Sequence, residues 1–242
     1  MIKTEFKRLI FNIAEIWFSD CLYDVEGCSH VMFRRCRPQE EFSGFNCAEE
    51  ITSVIDLTQD LDAIWENMKK HSCRYSIKRA EKEGVVIKIN RNFNEFYEMY
   101  RIHNKLKKYN IILLDKSYLE KAHTLFTAEL NGEVLCGHSY IEDQDHMVYR
   151  IGASKIIEND KRLNTLKGNA SRLIHWEAMK YAKEKGIKEF DMGGLYTNSI
   201  NSFKESFGGK RVSFSKYWKD YSVGYKLVAS MAQSRIYHYL SG

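Results

Sequence analysis

Lys204 is the side chain in this sequence best placed to do chemistry. It stands in Ser202-Phe-Lys-Glu-Ser-Phe-Gly-Gly209, on a short predicted helix from Asn198 to Phe207 that lies between two glycine pairs, Gly193-Gly194 and Gly208-Gly209. Glycine lets backbone and substrate approach closely. An ammonium fixed in such a place suits stabilisation of the oxyanion that forms when a carbonyl is attacked. The competing reading is a surface lysine on an amphipathic helix. Asp191 precedes the first glycine pair at the end of a predicted strand, Lys188 to Met192, and strand ends in open α/β sheets are where ligands collect. Two uses of Asp191 stay open. It orients an acceptor amine or takes its proton through water, or it only accepts backbone N–H groups of the glycine turn. Phe203 and Phe207 are four residues apart and share one helix face. Phe207 reads as core, and Phe203 as core or as a surface for a stacked base or an acyl chain.

A second set of candidates is basic. Arg74, Lys78 and Arg79 fall on one short predicted helix, and Arg74 and Lys78 can face a single anion, for which the guanidinium fork is suited. A solvated helix face explains them equally well. The formal charge is +5, from 37 Lys and Arg against 32 Asp and Glu. Residues 196–242 hold seven basic and two acidic side chains, so the whole surplus lies in the segment that contains Lys204. Clustered basic charge points to an anionic partner such as a phosphate-bearing substrate or RNA. Cys21, Cys28, Cys36 and Cys47 have irregular spacings without a C-x-x-C pair, which argues against zinc. His103, His123, His138, His146 and His175 show no readable Ser, Asp or Cys partner and count as structural or surface residues. Cys136 as a nucleophile has no identifiable activating group.

The elements that must position these residues follow from periodicity. Strand-like content runs from Leu9 to Phe18 and from Val31 to Arg37, and a short strand from Ser53 to Leu57. Asp60 is placed to cap a helix with Leu61, Ile64, Trp65 and Met68 on its apolar face, and Ser72 to cap the helix from Arg74 to Glu83. A strand at Val85–Ile89 and a helix to about Lys108 follow. Asn131-Gly132 predicts a hairpin turn between strands at Leu125–Leu130 and Glu133–Ile141, with a third strand at His146–Ala153. A polar stretch from Glu158 to Asn169 leads to a helix from Ala170 to Lys185, with Asn169 as its cap. A strand from Arg211 to Tyr217 and a final amphipathic helix from Val223 to Leu240 complete the chain. Strands and helices in this order give an α/β (α+β) fold with a mixed, largely antiparallel sheet flanked by helices, distinct from strict βα alternation.

Three stretches resemble the Fem family of peptidyltransferases within the GNAT acyltransferase superfamily. They are Arg74-Tyr-Ser-Ile-Lys-Arg-Ala-Glu-Lys-Glu-Gly-Val85, Gly152-Ala-Ser154, and Phe190-Asp-Met-Gly-Gly194 with the Phe-Lys-x-x-Phe-Gly-Gly motif after it. The resemblance spans about residues 53 to 218. It implies a GNAT-like sheet and transfer of an acyl or aminoacyl group to an amine, with Lys204 near the transferred carbonyl and the basic helix facing substrate. It implies no permanently bound cofactor. The donor is an aminoacyl-tRNA or an acyl-CoA, and the acceptor an anionic or phosphate-bearing cell-envelope precursor, peptidoglycan-like or a polysaccharide. Many GNAT enzymes hold the CoA pyrophosphate in a glycine-rich turn at a helix N-terminus. The matching stretch, Arg162 to Ala170, contains only Gly168, with Asn169 as its substrate-binding candidate, and one glycine leans toward the tRNA-type donor.

Founding Fem members carry two tandem GNAT-like domains, and this chain has room for one. The expected division is an N-terminal segment, 1–52, and an acyltransferase domain, 53–242. No stretch approaches the roughly 18 apolar residues of a membrane span, and the N-terminus lacks a secretory pattern, so a cytoplasmic enzyme is expected. The alternatives are an acyl-CoA-dependent N-acetyltransferase of a sugar or other small amine, and a non-catalytic RNA- or anion-binding module that retains the fold.

Overall fold

The computed structural model of the protein describes residues 1–8, 10–36, 44–106, 113–227 and 230. Its contacts divide the chain into two compact units. One comprises Met1–Ile51, Asn104–Leu113 and Ser213–Gly242, the other Thr52–His103 and Leu114–Val212.

In the first unit, strands β1 (Ile2–Arg8) and β2 (Phe11–Trp17) pair antiparallel, with Ile2 opposite Trp17 and Arg8 opposite Phe11. The strand expected from Leu9 is therefore shorter, and a partner precedes it; Leu9 itself lies outside the described residues. The alternation of Ile2, Thr4 and Phe6 with Lys3, Glu5 and Lys7 is the period of two that a half-buried strand needs. Strand β3 (His30–Cys36) runs parallel to β2 and antiparallel to the last strand, β10 (Lys210–Asp220). A small core of Ala14, Ile16, Val31, Phe33 and Tyr217 lies here.

The second unit contains the larger core. Strand β4 (Asn46–Asp56) enters it at Thr52, and the strands then order as β4-β9-β8-β7-β6-β5. Strands β5 (Val86–Ile89), β6 (Thr124–Leu130), β7 (Glu133–Glu142) and β8 (His146–Ser154) form an antiparallel meander. Asn131 and Gly132 turn β6 into β7 with φ of 51° and 82°, as a two-residue hairpin loop requires. Strand β9 (Glu189–Gly194) is parallel to β8 and antiparallel to β4. The mixed, largely antiparallel sheet with flanking helices is thus present.

Helices α1 (Leu61–Asn67), α2 (Tyr75–Lys82), α3 (Phe93–Leu106), α4 (Lys116–Ala122), α5 (Lys161–Glu184) and α6 (Asn198–Glu205) accompany these strands. The expected face of α5 is buried: Leu173, Trp176, Ala178, Met179 and Ala182 join a core with Phe126, Tyr140, Phe190 and Phe207.

Several expectations need correction. Helix α5 begins at Lys161, nine residues early, because Asp160 is the residue that caps it, accepting the Leu163 N–H at 2.8 Å. Asn169 is therefore interior to the helix. Asp60 occupies the cap position of α1 and Ser72 lies in a π-helical turn, Lys70–Arg74, but neither side chain makes a cap hydrogen bond. Helix α4 was not anticipated; seven residues with Tyr118 and Leu119 buried are too few for a periodic signal. Residues 223–227 are helical, and the rest of the expected terminal helix lies outside the described residues. Among the described residues, no helix is long and apolar enough to cross a membrane.

Candidate active site

Parallel pairing of β8 with β9 covers only His146–Val148 against Glu189–Asp191. Beyond that register the two strands bring Tyr149 and Gly193-Gly194 together, and α6 returns Lys204 to the same point.

Asp191 is buried, and its Oδ1 accepts the Gly193 N–H at 2.6 Å. The Thr52 hydroxyl lies within hydrogen-bonding reach of the same carboxylate oxygen and of the Gly193 carbonyl, the latter at 2.9 Å. Of the two uses open to Asp191, these contacts are those of a group that fixes the glycine turn. Gly193 has φ of 76°, and a Cβ on it would stand 2.8 Å from the Tyr149 carbonyl oxygen and 3.3 Å from Lys204 Nζ. Both the left-handed backbone and the space demand glycine.

Lys204 is buried, at 7% exposure. Its Nζ donates to the Gly194 carbonyl at 2.7 Å and lies 5.6 Å and 5.9 Å from the ring centroids of Tyr149 and Tyr196. Aromatic faces within about 6 Å attract a cation, so ring electrons and a backbone dipole hold this ammonium in a fixed position. Burial would otherwise disfavour the charge.

Behind Lys204 lies a polar layer inside an aromatic cluster. His175 is wholly buried, shares a 2.9 Å hydrogen bond between Nδ1 and the Tyr140 hydroxyl, and packs its ring against Tyr149, Phe203 and Phe207. Burial drives its pKa well below the usual histidine value, and the neighbouring His138, Lys204 and Arg172 push it further down, so the imidazole is neutral. His138 shares a 3.0 Å hydrogen bond with the Ser171 hydroxyl, and burial lowers its pKa to about 3. His138 thus has a serine partner that no sequence pattern reveals, and His175 a tyrosine. Burial raises the Cys136 thiol to about 12, which leaves it no nucleophilic thiolate at neutral pH.

The other expected residues fall differently. Phe203 packs on His175 and Phe207 and carries the Arg172 guanidinium over its ring at 4.6 Å. Arg74 and Lys78 do not converge on one point: Arg74 pairs with Glu66 at 2.5 Å, and Lys78 lies over Trp65 at 5.7 Å. Arg79 pairs with Glu83 at 2.5 Å. The sequence reading does not pick out Thr52, Tyr149, Arg172 or Tyr196, and it gives His175 no role in the site. Only Tyr196 had a nearby signal, two residues after the glycine pair; the rest reach the site through topology.

Residues 67–205 match the family described as acetyltransferase (GNAT) domain. That is more than half of the chain and includes Tyr149, Arg172, Asp191 and Lys204. The chain belongs to the GNAT family. It is accordingly an acyltransferase. No curated protein matches this GNAT chain in sequence. Solved structures share its fold at low identity. FemX is 14% identical, with a TM-score of 0.60, covering 95% of this chain and 85% of that one. The C-terminal domain (DUF2156) of a putative lysylphosphatidylglycerol synthetase from Agrobacterium fabrum is 12% identical, with a TM-score of 0.56, covering 92% and 81%. L-PGS from Bacillus licheniformis is 15% identical, with a TM-score of 0.53, covering 85% and 72%.

Proposed function

We propose that this GNAT chain transfers an aminoacyl group from a charged tRNA to an amine of an anionic cell-envelope precursor. The observation that carries the reading is the caged Lys204 ammonium, 2.7 Å from the Gly194 carbonyl and set between Tyr149 and Tyr196. The acceptor amine adds to the ester carbonyl, the carbonyl oxygen takes up negative charge, and Lys204 stabilises it. As the tetrahedral centre collapses, the ester C–O bond breaks, the amide forms, and the amine proton is lost to the departing hydroxyl or to water. A preorganised donor of this kind is worth about 100- to 1,000-fold in rate. Asp191 acts one step away, by holding the Gly193-Gly194 turn against which Lys204 is fixed. Gly194 borders the substrate cavity in this reading. Arg74, Lys78 and Arg79 form the outer basic surface for an anionic partner, with two of their three charges already paired. Asn169 has no role as a helix cap.

The donor assignment rests on the entry to α5. The segment from Lys155 to Asp160 contains no glycine. The Asp160 carboxylate already accepts an N–H of the first turn, so a pyrophosphate there would meet a negative charge at the end that otherwise favours anions. Membership of the GNAT family favours the second reading, an acyl-CoA donor. The fold shared with FemX and with lysylphosphatidylglycerol synthetase supports an envelope acceptor.

Incubation of the purified protein with labelled aminoacyl-tRNAs and, separately, with acyl-CoAs, in the presence of envelope precursors, tests both points. Label transferred from tRNA to an amine is the expected result. Transfer from acyl-CoA alone would overturn the donor, and transfer from neither would overturn the function.

A further inference from the structure

Arg172 is a half-buried cation on α5. It sits on α5 one turn before His175, with Nη1 at 3.3 Å from the Gly168 carbonyl as its hydrogen bond. Among the described residues no carboxylate pairs with it, and its Nε is closed to solvent with no hydrogen-bond partner. Burial lowers its pKa from the ordinary arginine value. Its planar head instead lies over the Phe203 ring at 4.6 Å. Partly buried guanidinium groups are normally paired, because desolvating an unpaired charge is unfavourable. The charge also belongs to the neighbourhood of the reaction centre: the Phe203 ring beneath it packs on His175 at 5.7 Å, His175 packs on Tyr149 at 4.8 Å, and Lys204 Nζ lies 5.6 Å from the Tyr149 ring.

We propose that Arg172, backed by Phe203, is a carboxylate-binding subsite that selects a substrate bearing a carboxylate beside the reacting carbonyl. This rests on the acyl-transfer reading given above. Stacking on Phe203 fixes the plane of the guanidinium, and a planar carboxylate meets its edge through charge-assisted hydrogen bonds. The fork can meet either a carboxylate or a phosphate, but one half-buried cation balances the single charge of a carboxylate and leaves the second charge of a phosphate uncompensated. The carboxylate belongs either to the transferred acyl group, as in an acidic aminoacyl ester, or to the acceptor.

Two measurements on the full chain separate these sources and separate this proposal from the function it rests on. In the transfer assay, the donor arm compares glutamyl- with glutaminyl-tRNA and succinyl-CoA with propionyl-CoA. The acceptor arm compares lysine with lysinamide. The expected result is a preference of at least tenfold for the carboxylate form in one arm, collapsing in Arg172→Gln and reduced in Arg172→Lys, with both variants checked for cooperative unfolding. In the binding assay, calorimetry compares glutarate, glutaramide and inorganic phosphate. Glutarate should bind at least fivefold more tightly than the other two, and only in the protein that retains Arg172. Glutarate binding of this kind without any transfer would overturn the acyl-transfer reading and leave the subsite standing. Transfer with no carboxylate preference in either arm, a preference that survives in Arg172→Gln, or phosphate binding equal to glutarate would overturn the subsite.

Discussion

The two units bury positive charge in opposite ways. In the first, Arg34 meets Glu15 at 2.6 Å and Glu50 at 3.5 Å, Arg35 meets Glu50 at 2.8 Å, and Lys216 meets Glu50 at 3.5 Å. Burial alone would raise the Glu50 pKa; Arg34, Arg35 and Lys216 outweigh it and hold the carboxyl below its ordinary value. In the second unit, Lys204 is fixed by two tyrosine rings and a backbone carbonyl, and Arg172 by a phenylalanine ring. Carboxylate-paired cations satisfy one another and specify packing. Rings and carbonyls hold a cation in place without neutralising it, so its field reaches a group bound beside it. The first cluster is architecture on this account, and the second is chemistry.

Substitutions should divide along the same line. The largest effect on stability is expected from Glu50→Ala, which removes the carboxylate that Arg34, Arg35 and Lys216 share. Removing one partner of a buried pair costs about 3–5 kcal/mol, measurable by chemical denaturation, while folded protein keeps its transfer rate. Because the folded-state pKa of Glu50 is lowered, its contribution is present above the ordinary carboxylate value and is lost as pH falls from there through the lower folded-state value. Stability of the Glu50→Ala variant that matches wild type at neutral pH would erase the contrast between the units. Gly193→Ala forces a side chain into a left-handed backbone position and against the Tyr149 carbonyl. About 1–3 kcal/mol of strain is expected, with transfer reduced more than tenfold; an unchanged rate would remove the glycine turn from the site. Tyr149→Leu removes one ring from the Lys204 cage and should lower kcat about fivefold, near the 1 kcal/mol scale of a cation–π contact.

The smallest effect belongs to His146. Burial lowers its pKa, but the hydrogen bond to Asp143 and the charges of Asp143, Glu189 and Asp145 raise it by more, so it ends raised. Its contribution is therefore complete below the unfolded-state value of about 6.5 and is lost as pH rises through the folded-state value. His146→Gln should destabilise the protein by less than about 1 kcal/mol at pH 5.5 and by less again at pH 9. Equal losses at both pH values would contradict the assignment.

The sequence carried the parts of this picture that depend on local pattern. The Asn131-Gly132 turn and the meander around it were readable because turn chemistry and alternation are short-range signals. Lys204, Asp191 and the Gly193-Gly194 pair were readable because they sit within twenty residues of one another in a distinctive motif. The start of α5 was misplaced because Asp160 lies in a polar run where several residues could cap a helix. Tyr149 comes from β8, Thr52 from β4, and Arg172 and His175 from α5; the β8–β9 and β4–β9 pairings and the packing of α5, absent from any local window, make them neighbours. The basic residues Arg74 and Arg79 looked like an anion site by type and spacing, and their pairing with Glu66 and Glu83 could be seen only in three dimensions.

The central claim is that the Lys204 charge serves the reaction and not the fold. Lys204→Met tests it most directly, with turnover and thermal unfolding measured on the same sample. Methionine fills the volume of the lysine stem and removes the cost of burying an ammonium, so the melting temperature should stay near that of the wild type. Turnover should fall about 100-fold, the scale of one lost oxyanion donor, with KM little changed. A folded Lys204→Met protein that turns over at the wild-type rate would contradict the account.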